Sequence, residues 1–310
     1  MPTLNEKNYR PGGTYTLGGI EVARIGYGTM QLPKVKEAAR AKAVLRKAYE
    51  LGVNNFDTAD FYGNGIANRY LAEELGKEKD VVFVTKIGAK PTKRGPMPML
   101  PAQRPEELRQ HVQDNLKRLK TDHLDIVNFR RIAPGTFPLK PSQKVNFDDQ
   151  MAELIAMRDE GLIGAIGLSS VSLAELKKAI PAKIVCVQNL YNLTSRRQES
   201  ILELCKKEGI AWVPFFPLGG GLPGSAKVTA NSVVQEIAQE MEISPVQVGL
   251  AWLLQHSKNT LIIPGTTSIA HLEQNVAVGN INFSEQTMKR LDAVKAPKGI
   301  GSIMSRFLSR

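Results

Sequence analysis

The chain has 310 residues, 42% of them apolar and 23% charged, which is enough for one large core and too apolar for a disordered chain. Its formal net charge is +11, yet no five-residue block is solidly basic, so the excess reads first as a solvated surface, then as attraction for a phosphate-bearing ligand, and last as nucleic-acid binding. No apolar run approaches the roughly 18 residues of a membrane span, the start MPTLNEKNYRPGG lacks the apolar stretch of a secretory signal, and two cysteines, Cys186 and Cys205, cannot build a disulfide framework, so a cytoplasmic protein is expected.

Along the chain, short apolar runs alternate with amphipathic helical stretches. Strands are predicted over 24–28, 55–57, 81–86, 125–129, 164–168, 184–188, 211–215 and 261–264. Several, such as VVFVTK, are apolar throughout, as strands buried on both faces are. Helices are predicted between them over 37–51, 66–75, 105–119, 149–160, 173–180 and 196–208, and after the seventh strand over 232–241 and 245–256. Gly52, Gly76, Gly161 and Gly209 stand where helices stop, Ser172 with Glu175 forms a capping box, Ser195 is a candidate N-cap, and Pro245 suits a first turn.

Eight strand–helix units point to an α/β fold, a parallel (β/α)8 TIM barrel in a single domain over 1–310, with a short N-terminal hairpin and a C-terminal tail. A doubly wound dinucleotide fold needs G-x-G-x-x-G after its first strand. The one literal match, Gly219, Gly221 and Gly224, follows the seventh strand and contains Pro223, so it reads as a loop over a ligand. The Pro-rich loops 88–104 and 131–147 follow strands, which puts both at the catalytic face of a barrel; Lys90, Lys93, Arg94 and Arg104 in the first are either anion-attracting or simply solvated.

Barrel chemistry sits at the C-terminal ends of the strands. The second strand ends in NNFDTADFYGNG, with Asp57, Asp60 and Tyr62; the third ends at Lys86; the fourth ends in DIVNFRRI, with Asn128, Arg130 and Arg131. An ammonium closing an apolar strand is costly unless paired, and Asp57 is the obvious partner. A nearby ammonium lowers a phenol's pKa from its ordinary value near 10, so Tyr62 could exchange a proton with a carbonyl or alcohol oxygen. The alternative is a salt bridge that closes the barrel, with Tyr62 as an aromatic lid. His111, His123, His256 and His271 have no metal-ligand spacing, so no metal is expected.

In this order, LGGIEVARIGYGTMQL, GVNNFDTADFYGNG, VFVTKIG, GLIGAIGLSS, VCVQNLYN, PFFPLGGG and IIPGTTSIAHLEQN resemble the aldo-keto reductase superfamily over nearly the whole chain, and most of all its bacterial pyridoxal reductase-type branch. The resemblance implies NADPH-dependent reduction of an aldehyde or ketone, with Tyr62 as general acid, Lys86 lowering its pKa and Asp57 pairing with Lys86. The branch implies pyridoxal to pyridoxine. A general aldehyde-detoxifying reductase and a slow, cofactor-bound redox-sensing subunit are the alternatives.

The family usually has histidine where this chain has Arg130. A fixed cation there would pull Tyr62 toward phenolate by on the order of two pKa units, or receive an anionic or electron-rich substrate group. By motif match, Gly28, Thr29 and Met30 face the nicotinamide, Ser169, Ser170 and Gln188 hold its carboxamide, and Phe215 stacks on its ring. Phe216, Leu218, Gly219 and Gly220 cover the pyrophosphate. Gly265, Thr266, Thr267, Ser268, His271, Gln274 and Asn275 meet the adenosine end. Gly265 and His271 stand where the family often places lysine and arginine for the 2′-phosphate, which leaves NADH as the alternative cofactor. The expected partner is a small carbonyl compound, with no nucleic acid and no membrane; the oligomeric state is unassigned.

Overall fold

The computed structural model describes residues 9–92, 99–132, 139–220 and 226–295. The chain opens with an antiparallel hairpin, β1 (Thr14–Leu17) and β2 (Ile20–Ala23), followed by β3 (Tyr27–Gly28). Then helices and strands alternate: α1 (Ala38–Glu50), β4 (Asn55–Asp57), α2 (Ile66–Leu75), β5 (Val82–Ile87), a small antiparallel pair β6 (Ala89–Pro91) and β7 (Met99–Pro101), α3 (Pro105–Leu119) and β8 (Leu124–Arg130). The second half runs α4 (Phe147–Asp159), β9 (Ile163–Ser169), α5 (Leu173–Ala179), β10 (Cys186–Gln188), α6 (Glu199–Lys207) and β11 (Ala211–Trp212). Four helices follow: α7 (Ser232–Glu240), α8 (Pro245–His256), α9 (Ile269–Ala277) and α10 (Glu285–Asp292).

Seven strands form one parallel sheet in the order β11-β10-β9-β8-β5-β4-β3. Each strand pairs with the next parallel strand of the chain, so the sheet curls. Both of its edges meet one further stretch: Leu261 N–H donates to Trp212 O at 2.9 Å, and Ile262 N–H donates to Arg24 O at 2.9 Å. That stretch pairs through the isolated bridges Trp212–Thr260 and Ile25–Ile262.

Alternation along each strand splits the apolar residues into two layers. Val82, Val84, Ile126, Ala165, Cys186, Ala211, Val213 and Leu261 face inward, and Leu17 and Val22 of the hairpin pack against them as a floor. Their strand neighbours Phe56, Ile87, Val127, Phe129, Ile166, Leu168, Val187 and Trp212 face outward into the helices. The inner column is tight. A methyl group on Gly167 would collide with Asn128 Oδ1 and Cys186 Sγ.

The predicted elements appear, with local corrections. Only Tyr27–Gly28 and Ala211–Trp212 of the first and seventh runs are strand, and 261–264 pairs through bridges. Helix α4 starts at Phe147 because Asn146 caps it, accepting from Asp148 N–H at 3.1 Å. Ser195 is no N-cap: it closes a tight turn with Asn192, which delays α6 to Glu199. The capping box at Ser172 and the Pro245 start are present. Gly52, at φ +88°, ends α1 against Tyr9 O, whereas Gly76 keeps a right-handed φ of −64°. Helices α9 and α10 and the β6–β7 pair are additions. Among the described residues, no helix is long and apolar enough to cross a membrane. Gly221, Gly224 and the C-terminal tail lie outside the described residues.

Overfilling a packed core costs about 1–3 kcal/mol. Gly167→Ala is therefore expected to lower the urea midpoint by that equivalent, at unchanged slope.

Candidate active site

Above the apolar inner layer the column turns polar. Asp57 ends β4, and Lys86 stands two residues past the Val84 that pairs with it, on the same face of the sheet. Lys86 Nζ donates to Asp57 Oδ1 and, at 2.9 Å, to Thr58 O. The second carboxylate oxygen of Asp57 accepts from Gln188 Nε2 at 2.7 Å. Lys86 and Asp57 are 5% and 3% exposed, so this ion pair is screened by protein rather than by water.

Tyr62 lies in the loop after β4, where its N–H donates to Ala59 O at 3.0 Å. Asp60, from the same motif, faces away from the ion pair. It bonds Arg118 of α3 and anchors the loop. The Tyr62 ring lies with its centroid 5.2 Å from Lys86 Nζ and packs edge-on to Phe61 at 5.1 Å. Ala89 and Met99 of the β6–β7 pair close over it.

Here the electrostatics depart from expectation. Burial pushes the Tyr62 phenol up; Lys86 and then Arg130 pull it down, but the net direction is upward. Lys86 thus lowers the phenol as expected, through its charge and a hydrogen bond, and Arg130 adds to it, while burial and the Asp57 carboxylate together outweigh them. Burial pulls Lys86 down, but Asp57 and Tyr62 together more than restore it, and its ammonium is held above its ordinary value. Arg130 ends β8 with its guanidinium carbon 5.7 Å from the Phe215 ring centroid.

Parallel registers bring Arg130, Ser169 and Gln188 side by side across β8, β9 and β10. Among the described residues, the Ser169 hydroxyl is buried without a hydrogen-bond partner. Ser170 has φ +60° and donates its N–H to Gln188 O at 3.0 Å; Phe216 has φ +53° and its carbonyl accepts from Asn192 Nδ2 at 2.9 Å. Left-handed backbone in two non-glycine residues is the kind of strain that concentrates at functional sites. Gly219 and Gly220 follow at φ +68° and +70°, and the Leu218 carbonyl accepts from Val228 N–H at 2.9 Å.

The remaining predicted residues form a second group. A methyl group on Gly28 would lie 2.6 Å from Ile263 O, so Gly28 packs against the last bridged stretch, next to Gly265. The Thr29 hydroxyl is spent on Asp57 O and the Thr58 hydroxyl, both at 3.0 Å. Met30 is 49% exposed. Thr266 Oγ1 accepts from Ser268 N–H at 3.1 Å, and Ser268 caps α9, where His271 and Gln274 are exposed and Asn275 is buried.

Lys34, Lys36 and Arg40 carry no sequence motif. With Gln31, Glu37 and Thr267 they line a cavity of about 380 Å³. None of the three cations forms an ion pair among the described residues. By contrast, Lys90 and Arg104, candidate anion-attracting residues, bond Glu107 at 3.5 and 3.3 Å; Lys93 and Arg94 lie outside the described residues. Among the described residues, no three His, Cys, Asp or Glu gather as a metal-binding group.

Comparison with known proteins agrees with this architecture. Residues 24–296 match the model of the aldo/keto reductase family. The chain is 42% identical over 293 residues to pyridoxine 4-dehydrogenase of Escherichia coli (strain K12), covering 91% of this chain and 98% of that protein. It is 36% identical over 289 residues to an uncharacterized oxidoreductase of Schizosaccharomyces pombe, covering 90% and 89%. In fold it matches an aldo-keto reductase from Klebsiella pneumoniae in complex with NADPH, with a TM-score of 0.75 at 23% identity, covering 93% of this chain and 96% of that one.

Removing one partner of a buried ion pair strands the other charge and costs about 3–5 kcal/mol. Asp57→Asn should lower unfolding free energy by that amount, read from the denaturant midpoint.

Proposed function

Because the chain belongs to the aldo/keto reductase family, we propose that it is an NADPH-dependent reductase of aldehydes whose working residues are Tyr62, Lys86, Asp57 and Arg130. In this reading the sheet is a (β/α)8 barrel in a single catalytic domain, with residues 260–262 as its eighth stave. The observation that carries the reading is the buried Asp57–Lys86 pair against the Tyr62 ring.

The site residues suit a nicotinamide. The unpartnered Ser169 hydroxyl and the neighbouring Gln188 amide offer donors and acceptors for a carboxamide, and Phe215 offers a face for the ring. When bound, the reduced nicotinamide supplies a hydride to the carbonyl carbon. Tyr62, kept protonated at neutral pH by its burial, passes its proton to the carbonyl oxygen as negative charge develops there. Lys86 stabilises the phenolate left behind. Asp57 keeps Lys86 charged and in place. Water then reprotonates Tyr62. An upward-shifted phenol fits a proton donor better than the phenolate expected from the cations alone.

The preference for NADPH over NADH is supported by the Lys34, Lys36 and Arg40 cavity. It adjoins Thr267 and supplies, from the loop after β3 and the start of α1, the cations that Gly265 and His271 do not. Pyridoxal is the substrate best supported by kinship, through the 42% identity to a pyridoxine 4-dehydrogenase.

Two measurements test the reading. Tyr62→Phe should cut kcat for pyridoxal reduction by about a hundredfold or more while leaving the Kd for NADPH unchanged; full activity in that variant would end the assignment. In the wild type, reduction should hold steady with pH up to about 10, where an ordinary phenol ionises, because the Tyr62 phenol is shifted upward. Separately, replacing Lys34, Lys36 and Arg40 by alanine should weaken NADPH binding about tenfold or more and leave NADH binding as it was; equal losses for both cofactors would remove the phosphate role.

A further inference from the structure

The hairpin beneath the sheet has two edges, and the fold closes only one of them. Gly18 and Gly19 form its turn, both at positive φ, which makes Leu17 and Ile20 a hydrogen-bonded pair. Alternation makes Tyr15 and Val22 the next such pair. The backbone groups of Glu21 and Ala23 on β2, and of Thr14 and Thr16 on β1, therefore point away from the hairpin. On the β2 edge these groups are taken. Asn54 Nδ2 donates to Glu21 O at 3.0 Å, Ala23 N–H donates to Asn54 Oδ1 at 2.8 Å, and Asn55 Nδ2 donates to Ala23 O at 2.6 Å. On the β1 edge, among the described residues, the N–H and C=O of Thr16 meet no partner outside the hairpin.

An open strand edge is a template for another chain, and proteins ordinarily blunt it, as Asn54 and Asn55 do here for β2. The open edge borders a groove of about 740 Å³, the size of a ligand site. Thr16, Gly18 and Gly19 line one side of it, and no residue of β2 does. Ala165, Ile184, Val185 and Ile210, at the entrances of β9, β10 and β11, give it apolar surface. Its charged residues are Lys183, Arg158 and Glu208. Lys183 and Glu208 form no ion pair among the described residues, and Arg158 pairs with Asp159 at 3.4 Å. Two cations against one carboxylate, on a chain of net charge +11, favour an acidic partner. A second copy would bring the same excess of cations, which disfavours self-pairing.

We propose that the β1 edge and this groove bind an extended acidic segment of another protein, which joins the hairpin as a third strand. Thr16 gives one N–H and one C=O to the backbone of that segment. Its alternate side chains settle on the apolar lining, and an acidic side chain meets Lys183. Main-chain bonds supply affinity in this mode of recognition, and the side chains supply selectivity. The groove lies at the hairpin end of the sheet, opposite the rim that carries Tyr62 and Arg130, so the inference stands apart from the reductase reading.

The test titrates the full-length protein with fluorescent, end-capped hexapeptides that alternate valine and threonine, with one aspartate moved through each position in turn. At one or more positions aspartate should bind about tenfold more tightly than lysine. Binding should slow hydrogen exchange at the Thr16 amide. Methylating alternate backbone nitrogens of the best peptide should weaken it about tenfold in one phase and leave it unchanged in the other, as for a strand bonded along a single edge. Thr16→Pro removes the outward N–H at a position where the hairpin's own ladder uses none, and should also weaken binding about tenfold. Lys183→Glu should cancel the preference for aspartate over lysine, and both variants should keep the wild-type urea midpoint. The proposal is overturned if no aspartate peptide binds, if neither methylation phase matters, or if Lys183→Glu keeps the preference. It is also overturned if the protein alone sediments as a dimer that Thr16→Pro dissociates, since the edge would then belong to a second copy.

Discussion

The ion pair between Asp57 and Lys86 organises everything above the apolar interior. Two charges at this depth are expensive to desolvate, and they persist because both Asp57 oxygens accept a hydrogen bond and the Lys86 ammonium donates to Asp57 and to Thr58 O. Through the Thr58 bond, the loop that carries Tyr62 is tied to the strand that carries the ammonium. Gln188 reaches across from β10 to the same carboxylate, so strands from opposite halves of the chain share one charge.

A buried polar chain holds that arrangement from behind. The Thr58 hydroxyl donates to Asn68 of α2 at 2.7 Å, Asn68 donates to Asn115 of α3 at 2.8 Å, and Asn115 also accepts from Thr85 of β5. These links register two helices against two strands where apolar packing alone would permit sliding. Gln103 plays a similar part at the end of β8. Its amide nitrogen bonds Gly88 O at 2.6 Å and Arg130 O at 3.0 Å, and its oxygen accepts from Ile132 N–H at 3.1 Å. The backbone under Arg130 is thus fixed, while its guanidinium rests on the Phe215 ring.

The strand ends were legible because a charged residue closing an apolar run is rare, and the parallel topology then brings such residues to one rim. Less was legible where packing decides. The Coulomb pull of Lys86 on Tyr62 followed from the motif; the opposing desolvation did not, since it depends on how Phe61, Ala89 and Met99 close around the ring. Lys34, Lys36 and Arg40 were unreadable as a site because nothing local connects them to Thr267, more than two hundred residues away. Helix α10 follows the last strand-like run and buries only Leu291, and in α9 the capping Ser268 sat within a stretch read for its ligand contacts. Asp60, which the sequence placed at the same strand end as Asp57, is a tether, a distinction made by Arg118 from a distant helix.

The hairpin under the sheet has a consequence for traffic. Leu17 and Val22 are almost wholly enclosed beneath the inner column, so the interior is stoppered from below. Molecules arriving at the rim must come and go by the same side. Ser169 and Gln188, at the ends of β9 and β10, are on the rim side, opposite the hairpin. A stopper of two short strands thereby leaves one face of the sheet's interior for exchange with solvent.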